Sequence, residues 1–397
     1  MSTDVPPSVL VLNCGSSSVK FALVDPNTGR RQVSALAERV GSPDCEVRLS
    51  RDGQHQTSTP AGTSPHAVIE HLLDALTESE RAGLVGVGHR VVHGGTRFAA
   101  SAVIDDDVLS VLDGLIDLAP LHLPANLDGI RAAQAVLPDL GQVAVFDTAF
   151  HQSMSPAAYR YAVPADWYHE HQVRRYGFHG TSHRYVNARA AELLDSPVES
   201  LRMVTVHLGN GCSAAAIRDG RSVDTTMGLT PLEGLVMGTR SGDIDPAVLG
   251  YLAPRLGLDL AALINVLNTR SGLLGLSGIS NDLRTIINAA QAGSADAELA
   301  IEVFCHRVAK AIAAMAATLG RLDAVVFTGG IGEHSAEVRH RVLAGLAVLG
   351  VHENPAANAS HGKGSRGRIS SANSVPVLVV PTDEELVIAR DTVELTR

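Results

Sequence analysis

The chain has 397 residues, 45% of them hydrophobic and 19% charged, which provides enough apolar side chains for the cores of two or three domains and excludes a disordered chain. Its net charge of −10 argues against a protein that binds nucleic acid regardless of sequence. No apolar run approaches the ~18 residues of a membrane span, and residues 1–8 lack the basic and apolar regions of a signal peptide. We therefore expect a soluble cytoplasmic protein with no nucleic-acid or membrane partner.

The N-terminal part of the sequence predicts three consecutive strands. Residues 9–13 form a short apolar run that ends in a Gly/Ser loop, and residues 19–24 alternate in the manner of a second strand. A turn of composition Asp-Pro-Asn-Thr-Gly then leads to a third strand over residues 31–36.

Helical patterns follow these strands and dominate the rest of the chain. The predicted helices cover residues 67–76 behind Ser64 and Pro65, 124–136 before Pro138, 299–319 ending at Gly320, and a last helix through Val393. Thr382 and Glu385 have the spacing of a capping box at the start of that last helix.

The second half repeats the strand pattern of the first. Residues 203–223 predict the same order of strand, glycine loop, strand, turn and strand, and Gly211 lies 196 residues after Gly15. A second pair of similar segments, 143–146 and 325–327, has an offset of 181. Two ordered pairs favour an internal duplication, and strands alternating with helices then predict two α/β domains that face one another across a cleft.

Glycine-rich loops follow several of the predicted strands. Free backbone N–H groups in such loops bind anions, so we expect the loops at 13–18 and 207–211 to hold one polyphosphate from opposite sides. Lys20, just inside the second strand, adds an ammonium group for a phosphate. The glycine turn at 327–334, before a helix that starts near Ala336, would bring a nucleotide close to the backbone.

Two arginines and one histidine stand among glycines. Arg90 and Arg240 have no helical neighbour for a salt bridge, and their forked guanidinium groups match carboxylate or phosphate oxygens. Gly177 and Gly180 flank the Phe-His pair that contains His179. This pattern predicts an exposed imidazole on a loop.

Together these motifs resemble the acetate kinase family. The resemblance rests on NxGSSSxK, HRVVHGG, FDTAFH, RYGFHGTSH, HLGNG, TPLEGLVMGTRSGDIDP, GGIGE and DEEL, which span residues 9–388. It implies the α/β fold of actin, Hsp70 and sugar kinases, with two duplicated actin-like ATPase domains (βββαβαβα, ribonuclease H-like) and a nucleotide cleft between them. The implied boundaries are 1–148 plus 383–397, completed by the C-terminal helix, and 149–382, the nucleotide and dimer side.

The resemblance also implies a reaction. The family catalyses the Mg²⁺-dependent, reversible, in-line transfer of the ATP γ-phosphoryl group to acetate, giving acetyl phosphate and ADP, the first step of acetate activation to acetyl-CoA. Mn²⁺ is expected to substitute for Mg²⁺, and the protein is expected to be a homodimer.

Positions that match the family's motifs give the candidate site residues. The implied catalytic residues are Asp147, His179 and Arg240, and the implied substrate residues are Arg90, Val92, Leu121, Phe178 and Pro231. The implied nucleotide residues are Lys20, Ser16, Ser18, His207, Leu208, Gly209, Asn210, Gly211, Asp282, Leu283, Arg284, Gly330, Ile331, Gly332, Glu333 and His334. The implied metal ligands are Asn13 and Glu384. Leu123, His334 and Asp383 differ from the asparagine that is usual in the family, which concerns nucleotide choice more than reaction class.

The charge of the substrates defines the task of this site. ATP and a carboxylate repel each other, so catalysis should consist of positioning and charge neutralisation. Because a carboxylic acid titrates near ~4–5, the substrate needs no base. Asp147 is therefore predicted to orient Arg90 or a Mg²⁺-bound water.

Other functions on the same fold remain open at this point. A sugar kinase would need a base aspartate and several hydroxyl partners, and an Hsp70-type chaperone would need a further peptide-binding domain. Propionate or butyrate kinase is the nearest alternative, and Val92 is the position expected to discriminate between acyl chains.

Overall fold

A computed structural model describes residues 7–120 and 122–397 of the chain. Leu121, predicted for the acetate pocket, lies outside the described residues. The described chain forms two compact units. The N-terminal unit extends to Phe150 and takes up Asp383–Arg397, and the C-terminal unit comprises His151–Thr382.

The described part of the N-terminal unit contains an eight-stranded sheet in the order β5-β4-β3-β2-β1-β6-β8-β7. Its strands are β1 (Ser8–Cys14), β2 (Ser18–Val24), β3 (Arg31–Glu38), β4 (Glu46–Arg51), β5 (Gln54–Ser58), β6 (Leu84–Val91), β7 (Ala102–Val103) and β8 (Gln142–Phe146). β1 to β5 form an antiparallel meander, and β1, β6 and β8 are parallel. The three predicted N-terminal strands are confirmed, whereas β4, β5 and β6 were not predicted.

Helices cover both faces of this sheet, one face being covered by the C-terminal helix described below. Four described helices precede that helix in this unit. They are α1 (Pro65–Asp74), α2 (Glu78–Ala82), α3 (Asp106–Asp113) and α4 (Leu123–Val136), with a 3₁₀ turn at Ile116–Leu118. Ser64 caps α1 by accepting a hydrogen bond from the Ala67 N–H at 3.2 Å, as predicted. Leu10 and Leu12 of β1 pack in the core with α1 and α4, and the alternating residues Val9 and Val11 pack on the opposite face. β1 is apolar throughout because both of its faces are buried.

The C-terminal unit has a five-stranded sheet in the order β11-β10-β9-β12-β13. Its strands are β9 (Arg202–Leu208), β10 (Cys212–Arg218), β11 (Arg221–Thr225), β12 (Ala324–Thr328) and β13 (Val377–Val379). The first three are antiparallel, and β12 and β13 run parallel to β9. The same pairing pattern orders β3-β2-β1-β6-β8, so the two sheets share a duplicated frame.

One of the two sequence pairs taken as duplicates is wrong. β12, which contains residues 325–327, pairs with β9 and so takes the place of β6 beside β1. The equivalent of β8, which contains residues 143–146, is β13 at the other side of β12. Buried parallel strands are all short apolar runs, so their sequences resemble one another without occupying equivalent positions.

Helices surround the second sheet. They are α5 (Pro156–Tyr159), α6 (Ala165–His171), α7 (Gly180–Leu193), α8 (Ala247–Leu256), α9 (Leu260–Thr269), α10 (Gly272–Ser277), α11 (Leu283–Gln291), α12 (Ala295–Leu319), α13 (Gly329–His334), α14 (Ala336–Ala344) and α15 (Pro355–Ala359). Short 3₁₀ turns lie at Ala149–Ser153, Val198–Ser200 and Ala347–Leu349. The glycine segment before Ser335 is the short helix α13 rather than a turn.

Two features of these helices bear on earlier predictions. α12 begins one turn before its predicted start, behind the cap Ser294, and ends at Gly320 as predicted. Among the described helices, no single one is long and apolar enough to cross a membrane, although α8 and α9, bent by 107° to each other, meet the length and composition criteria as a pair.

The last helix, α16 (Glu384–Thr396), packs on β1, β6 and β8 of the N-terminal unit. The predicted capping box of Thr382 and Glu385 is wrong, because Asp383 is the cap and accepts from the Leu386 N–H at 3.0 Å. The Glu385 carboxylate binds Arg31 instead, and Arg31 also donates to Asp383 at 2.8 Å. Spacing alone could not reveal that a residue from β3 competes for Glu385.

Candidate functional site

The loop between β1 and β2 brings the predicted metal and phosphate residues together. Asn13 pairs directly with Lys20 across the two strands, so both side chains lie on the same face of the sheet. The Gly15 N–H donates to the Ser18 carbonyl at 2.8 Å and closes the loop. Ser16 and Lys20 are exposed. The loop therefore presents a hydroxyl and an ammonium group to solvent beside the Asn13 amide.

Arg90 and Asp147 form a bidentate ion pair where β6 and β8 end. Nε of Arg90 donates to Oδ1 of Asp147 at 3.1 Å and Nη2 donates to Oδ2 at 2.6 Å. The Asp147 side chain is 1% exposed, and Glu384 at the start of α16 lies 3.9 Å from Nε. The charge of Asp147 raises the pKa of Arg90 above its ordinary value, so the guanidinium stays charged. The predicted contact between Asp147 and Arg90 is thus present.

A buried asparagine joins two of these strand ends. Oδ1 of Asn126 accepts from the Val92 N–H at 2.9 Å, and its Nδ2 donates to the Cys14 carbonyl at 2.7 Å. Asn126 thereby links the end of β1 to Val92, the residue predicted to determine which acyl chain is accepted. Asn126 was not predicted as a site residue, and the available signal was a polar residue among the apolar positions of helix 124–136.

Arg240 and His179 converge on the bare α-carbon of Gly211 in the C-terminal unit. A Cβ at Gly211 would lie 2.8 Å from Nη2 of Arg240 and 3.1 Å from Nε2 of His179. The Pro231 carbonyl holds Arg240 by accepting from Nη1 at 2.6 Å. Burial lowers the pKa of Arg240 below its ordinary value, but arginine remains charged in proteins. A guanidinium group and an imidazole nitrogen therefore face one point that only glycine leaves open.

The His179 ring is half-buried, so the predicted exposed imidazole is wrong. His179 has a φ of 56° at the start of α7, and its ring stacks on His207 with centroids 4.3 Å apart. Nδ1 of His179 shares a hydrogen bond with Oγ of Ser213 at 2.9 Å. Ser213 was not predicted, since a serine inside a strand gives no indication of its cross-strand partner.

A cavity of about 700 Å³ opens in the same unit. The predicted nucleotide residues that line it are Gly209, Asn210, Asp282, Leu283, Arg284, Gly330, Ile331 and His334. Four further lining residues, Asn281, Ile287, Asn288 and Ser335, were not predicted. The lining combines amide and hydroxyl groups with branched apolar side chains, which suits a flat heterocycle with polar edges.

Asp282 and Arg284 form one unit at the mouth of this cavity. Asp282 caps α11 by accepting from the Arg284 N–H at 2.9 Å, and Nη2 of Arg284 donates to Oδ2 at 2.6 Å. The hydrogen bond from the Arg284 side chain lowers the pKa of Asp282.

Two of the predicted nucleotide residues belong to the framework rather than to the cavity lining. Leu208 is fully buried. Oε1 of Glu333 accepts from the N–H groups of Gly329 at 2.9 Å and Thr382 at 3.1 Å, so its carboxylate ties α13 to the end of the C-terminal unit. The sequence motif does not show this inward orientation.

Within the described residues, no group of three or more His, Cys, Asp or Glu side chains could hold a metal ion. Mg²⁺ in phosphoryl-transfer sites is usually held by one or two carboxylates, waters and the substrate's own phosphates. The Asn13 amide oxygen and the Glu384 carboxylate are hard oxygen donors of this kind, so the chemistry of the predicted ligands fits Mg²⁺.

Comparisons with known proteins identify the family of the chain. A model of the acetokinase family matches residues 8–390. The chain is 53% identical over 384 residues to the acetate kinase of Deinococcus radiodurans, covering 96% of each chain. Its fold is similar to the solved acetate kinase of Porphyromonas gingivalis, with a TM-score of 0.93, 42% identity and coverage of 98% and 100%. It is equally similar to a solved propionate kinase from Francisella tularensis, with a TM-score of 0.93, 46% identity and the same coverage.

Proposed function

The chain belongs to the acetokinase family, and on that premise we propose that the residues described above transfer the γ-phosphoryl group of ATP reversibly to acetate, giving acetyl phosphate and ADP. The observation that carries the proposal is the convergence of Arg240 and His179 on Gly211, next to a cavity of nucleotide size. Cationic and N–H donor groups fixed at one point stabilise the charge that spreads over a phosphoryl group in transit.

The cavity is assigned to the nucleoside of ATP. Leu283, Ile287 and Ile331 supply apolar surface, and Asn281 and Asn288 supply amides for the base and ribose. Gly209 and Asn210 line the cavity and Gly211 follows them directly, so phosphates that leave the cavity along this loop reach the point that Arg240 and His179 face. Lys20 and the β1–β2 loop are assigned to the same phosphates.

Arg90 is assigned to the acetate carboxylate. Asp147 engages its Nε and Nη2 atoms, which fixes the plane of the guanidinium and leaves Nη1 for the substrate. Acetate is already ionised at neutral pH, so Asp147 has no proton to remove. Val92, Leu121, Phe178 and Pro231 are assigned to the methyl group. A fixed cation paired with an apolar side-chain contact would favour a short carboxylate.

A divalent cation is assigned to Asn13 and Glu384. Mg²⁺, or Mn²⁺ in its place, supplies neutralisation of the charge on the ATP phosphates. Glu384 is the first residue of α16, and Asn13 pairs with Lys20 across β1 and β2. Arg90 near Glu384 keeps the local charge balanced when the phosphates are absent.

We assign the protein to the cytoplasm, where ATP and acetyl phosphate are available.

We also propose that the protein is a homodimer. The helices α8 and α9 of the C-terminal unit leave Tyr251, Leu256 and Leu260 between 56% and 63% exposed, an unusual concentration of apolar surface. Size-exclusion chromatography with light scattering should give twice the chain mass of 41.6 kDa. A species of the single chain mass would contradict this assembly.

A second candidate, propionate as acceptor, is supported by the similarity to the solved propionate kinase. One methylene group changes the discrimination between two substrates by only about 1–3 kcal/mol. Acetate and propionate are therefore expected to differ in kcat/KM rather than in whether they react.

The proposed reaction is tested by following ³¹P NMR signals after ATP, Mg²⁺ and acetate are mixed with the protein. We expect acetyl phosphate and ADP to appear in equal amounts, and ATP to form when acetyl phosphate and ADP are supplied instead. Conversion of ATP to ADP and inorganic phosphate without acetyl phosphate would contradict the proposal.

A further inference from the structure

A buried chain of hydroxyl and imidazole groups leads to the His179 ring. Oγ of Ser213 lies 2.9 Å from Nδ1 of His179 and 2.8 Å from Nε2 of His183. Nδ1 of His183 lies 2.7 Å from Oγ1 of Thr205. Ser213, His183 and Thr205 are all 0% exposed, so their protons are shared among protein groups rather than with bulk water.

The number of protons in this chain allows two arrangements. His183 is neutral, because burial and the neighbouring His151 and His207 lower its pKa well below 6.5, and it carries one ring proton. In the first arrangement Thr205 donates to His183, His183 to Ser213, and Ser213 to Nδ1 of His179. In the second arrangement Nδ1 of His179 carries the proton and donates to Ser213. Ser213 then donates to His183, and His183 donates to Thr205.

The two arrangements differ in what His179 presents at Gly211. In the first, the proton of neutral His179 is on Nε2, and Nε2 acts with Nη2 of Arg240 as a second donor at that point. In the second, the Nε2 lone pair faces the Arg240 guanidinium. The positive charge of Arg240 alone favours the second arrangement, since a lone pair is attracted to a cation.

We propose that Ser213, held by His183 and Thr205, is a positioning residue that fixes the Nε2-protonated form of neutral His179. Donation from the Ser213 hydroxyl occupies Nδ1 and opposes the effect of Arg240. The inference rests on the proposed function, because a phosphoryl group between His179 and Arg240 gives the Nε2–H its purpose. It makes His179 a hydrogen-bond donor without requiring an imidazolium beside an arginine.

Several charged and titratable groups of the C-terminal unit lie around His179. His207 stacks on the ring from β9, His183 lies one turn later on α7, and Arg240 faces Nε2 from the loop before α8. Cys212, next to Ser213, stays protonated because burial raises its pKa to about 12. A proton added to His179 therefore meets the repulsion of Arg240 unless an anion is bound.

The direct test is the tautomer of His179 in the substrate-free protein. In ¹⁵N-histidine-labelled protein at pH 8, with the signal assigned by a His179→Gln variant, we expect the Nε2-protonated pattern in the wild type and the Nδ1-protonated pattern in Ser213→Ala. A wild-type ring protonated on Nδ1 would overturn the proposal. This measurement needs no turnover, so it separates a failure of the proposal from a failure of the proposed reaction.

Kinetics provides the second test. Ser213→Ala should lower kcat at pH 8 by about 10- to 100-fold, the range typical of losing a group that orients a functional histidine. KM values should stay close to those of the wild type. With the anionic substrates bound, lowering the pH should bring kcat of the variant towards the wild-type value, because an imidazolium carries a proton on Nε2 in either case. A loss of the same size at every pH would indicate a merely structural role and overturn the proposal.

Two further variants keep the test decisive. Ser222→Ala removes a similarly buried serine–histidine hydrogen bond, 2.7 Å from Ser222 Oγ to His151 Nδ1, and should keep wild-type kcat and pH dependence. Thr205→Val preserves the shape of the far end of the chain, so it decides the matter if Ser213→Ala does not fold. It should lower kcat at pH 8 and recover in acid, and wild-type behaviour of Thr205→Val would overturn the proposal.

Discussion

At the scale of single residues, the Arg90–Asp147 pair shows how the proposed acetate site is prepared before its ligand binds. A carboxylate that is 1% exposed would be costly to bury alone, and two hydrogen bonds to Arg90 compensate for the lost hydration. The same bonds hold the guanidinium plane, so little side-chain entropy is lost when a second carboxylate binds. In the proposed reaction Asp147 orients the Arg90 guanidinium and does not accept a proton.

Asp147→Asn should raise the KM for acetate by about tenfold or more, because one charged partner of a bidentate pair is lost. Steady-state kinetics should show the same increase in the KM for acetate at every pH from 6 to 9. Asp113→Asn, which removes an exposed aspartate that accepts twice from Arg131 at 2.8 Å, is the matched control and should leave KM unchanged. Activity of Asp147→Asn that returns with a change of pH would assign a proton-transfer role instead.

Arg240→Ala should lower kcat by about 10³-fold, the contribution of an arginine that contacts a phosphoryl group in transit. KM values should change little, and the circular dichroism spectrum and thermal midpoint should show an intact fold. The exposed Arg221 on β11 provides the control, since Arg221→Ala removes an equal charge from the same unit. Near-normal turnover of Arg240→Ala would exclude this arginine from the transition state.

Some of the candidate functional residues could be predicted from the sequence and others could not. Glycine neighbours drew attention to Arg90, Arg240 and His179, because glycine removes the usual reasons for a charged residue to be there. Ser213 and Asn126 have no such neighbours, and their roles depend on partners in other elements. A one-dimensional pattern does not contain those pairings.

At the scale of elements, α16 packs closely on the N-terminal sheet because β6 contains glycine where the helix crosses it. A Cβ at Gly88 would lie 2.4 Å from Cγ2 of Ile388 and 2.5 Å from Oγ1 of Thr392. This close approach brings the start of the helix, with Glu384, to within 3.9 Å of Arg90.

Gly88→Ala should lower the free energy of unfolding by about 1–3 kcal/mol, the usual cost of overpacking a dense core. Urea unfolding followed by circular dichroism measures it. The control is Gly114→Ala at the end of α3, where φ is −70° and the nearest atom to an added Cβ lies at 3.4 Å, so stability should be almost unchanged. Equal stability of Gly88→Ala and the wild type would mean that α16 is not closely held.

Elements were predictable where a local signal was strong. The hairpins at 9–36 and 203–223 combine short apolar runs with turn residues, and α1 and α12 carry their own caps. β4 and β5 are partly exposed strands whose polar composition resembles loops. Glu385 at the start of α16 binds Arg31 from β3, so the loss of the predicted capping box could not be foreseen from the local sequence.

At the scale of the whole molecule, the duplicated frame places several histidines in buried positions. Burial lowers the pKa of both His89 and His151 to about 4, whereas an unfolded histidine titrates near ~6.5. Between these values the unfolded chain binds more protons than the folded one, so stability decreases as the pH falls from about 6.5 towards 4.

The free energy of unfolding should therefore decrease between pH 7 and pH 5, by up to about 1.4 kcal/mol per pH unit for each such histidine. Urea midpoints at several pH values measure the slope. His89→Gln cannot take up a proton and should reduce the slope, whereas the exposed His66→Gln should not. A slope unaffected by His89→Gln would contradict this origin of acid sensitivity.

The central claim, that the chain phosphorylates acetate in a pocket built for a short carboxylate, is tested most directly by an acyl-hydroxamate assay. The protein is supplied with ATP, Mg²⁺ and either acetate, propionate or butyrate at matched concentrations, and kcat/KM is measured for each. We predict the highest kcat/KM for acetate, with a loss of about 10- to 200-fold for the added methylene of propionate. The highest kcat/KM for propionate, or ATP consumption without any acyl hydroxamate, would contradict the claim.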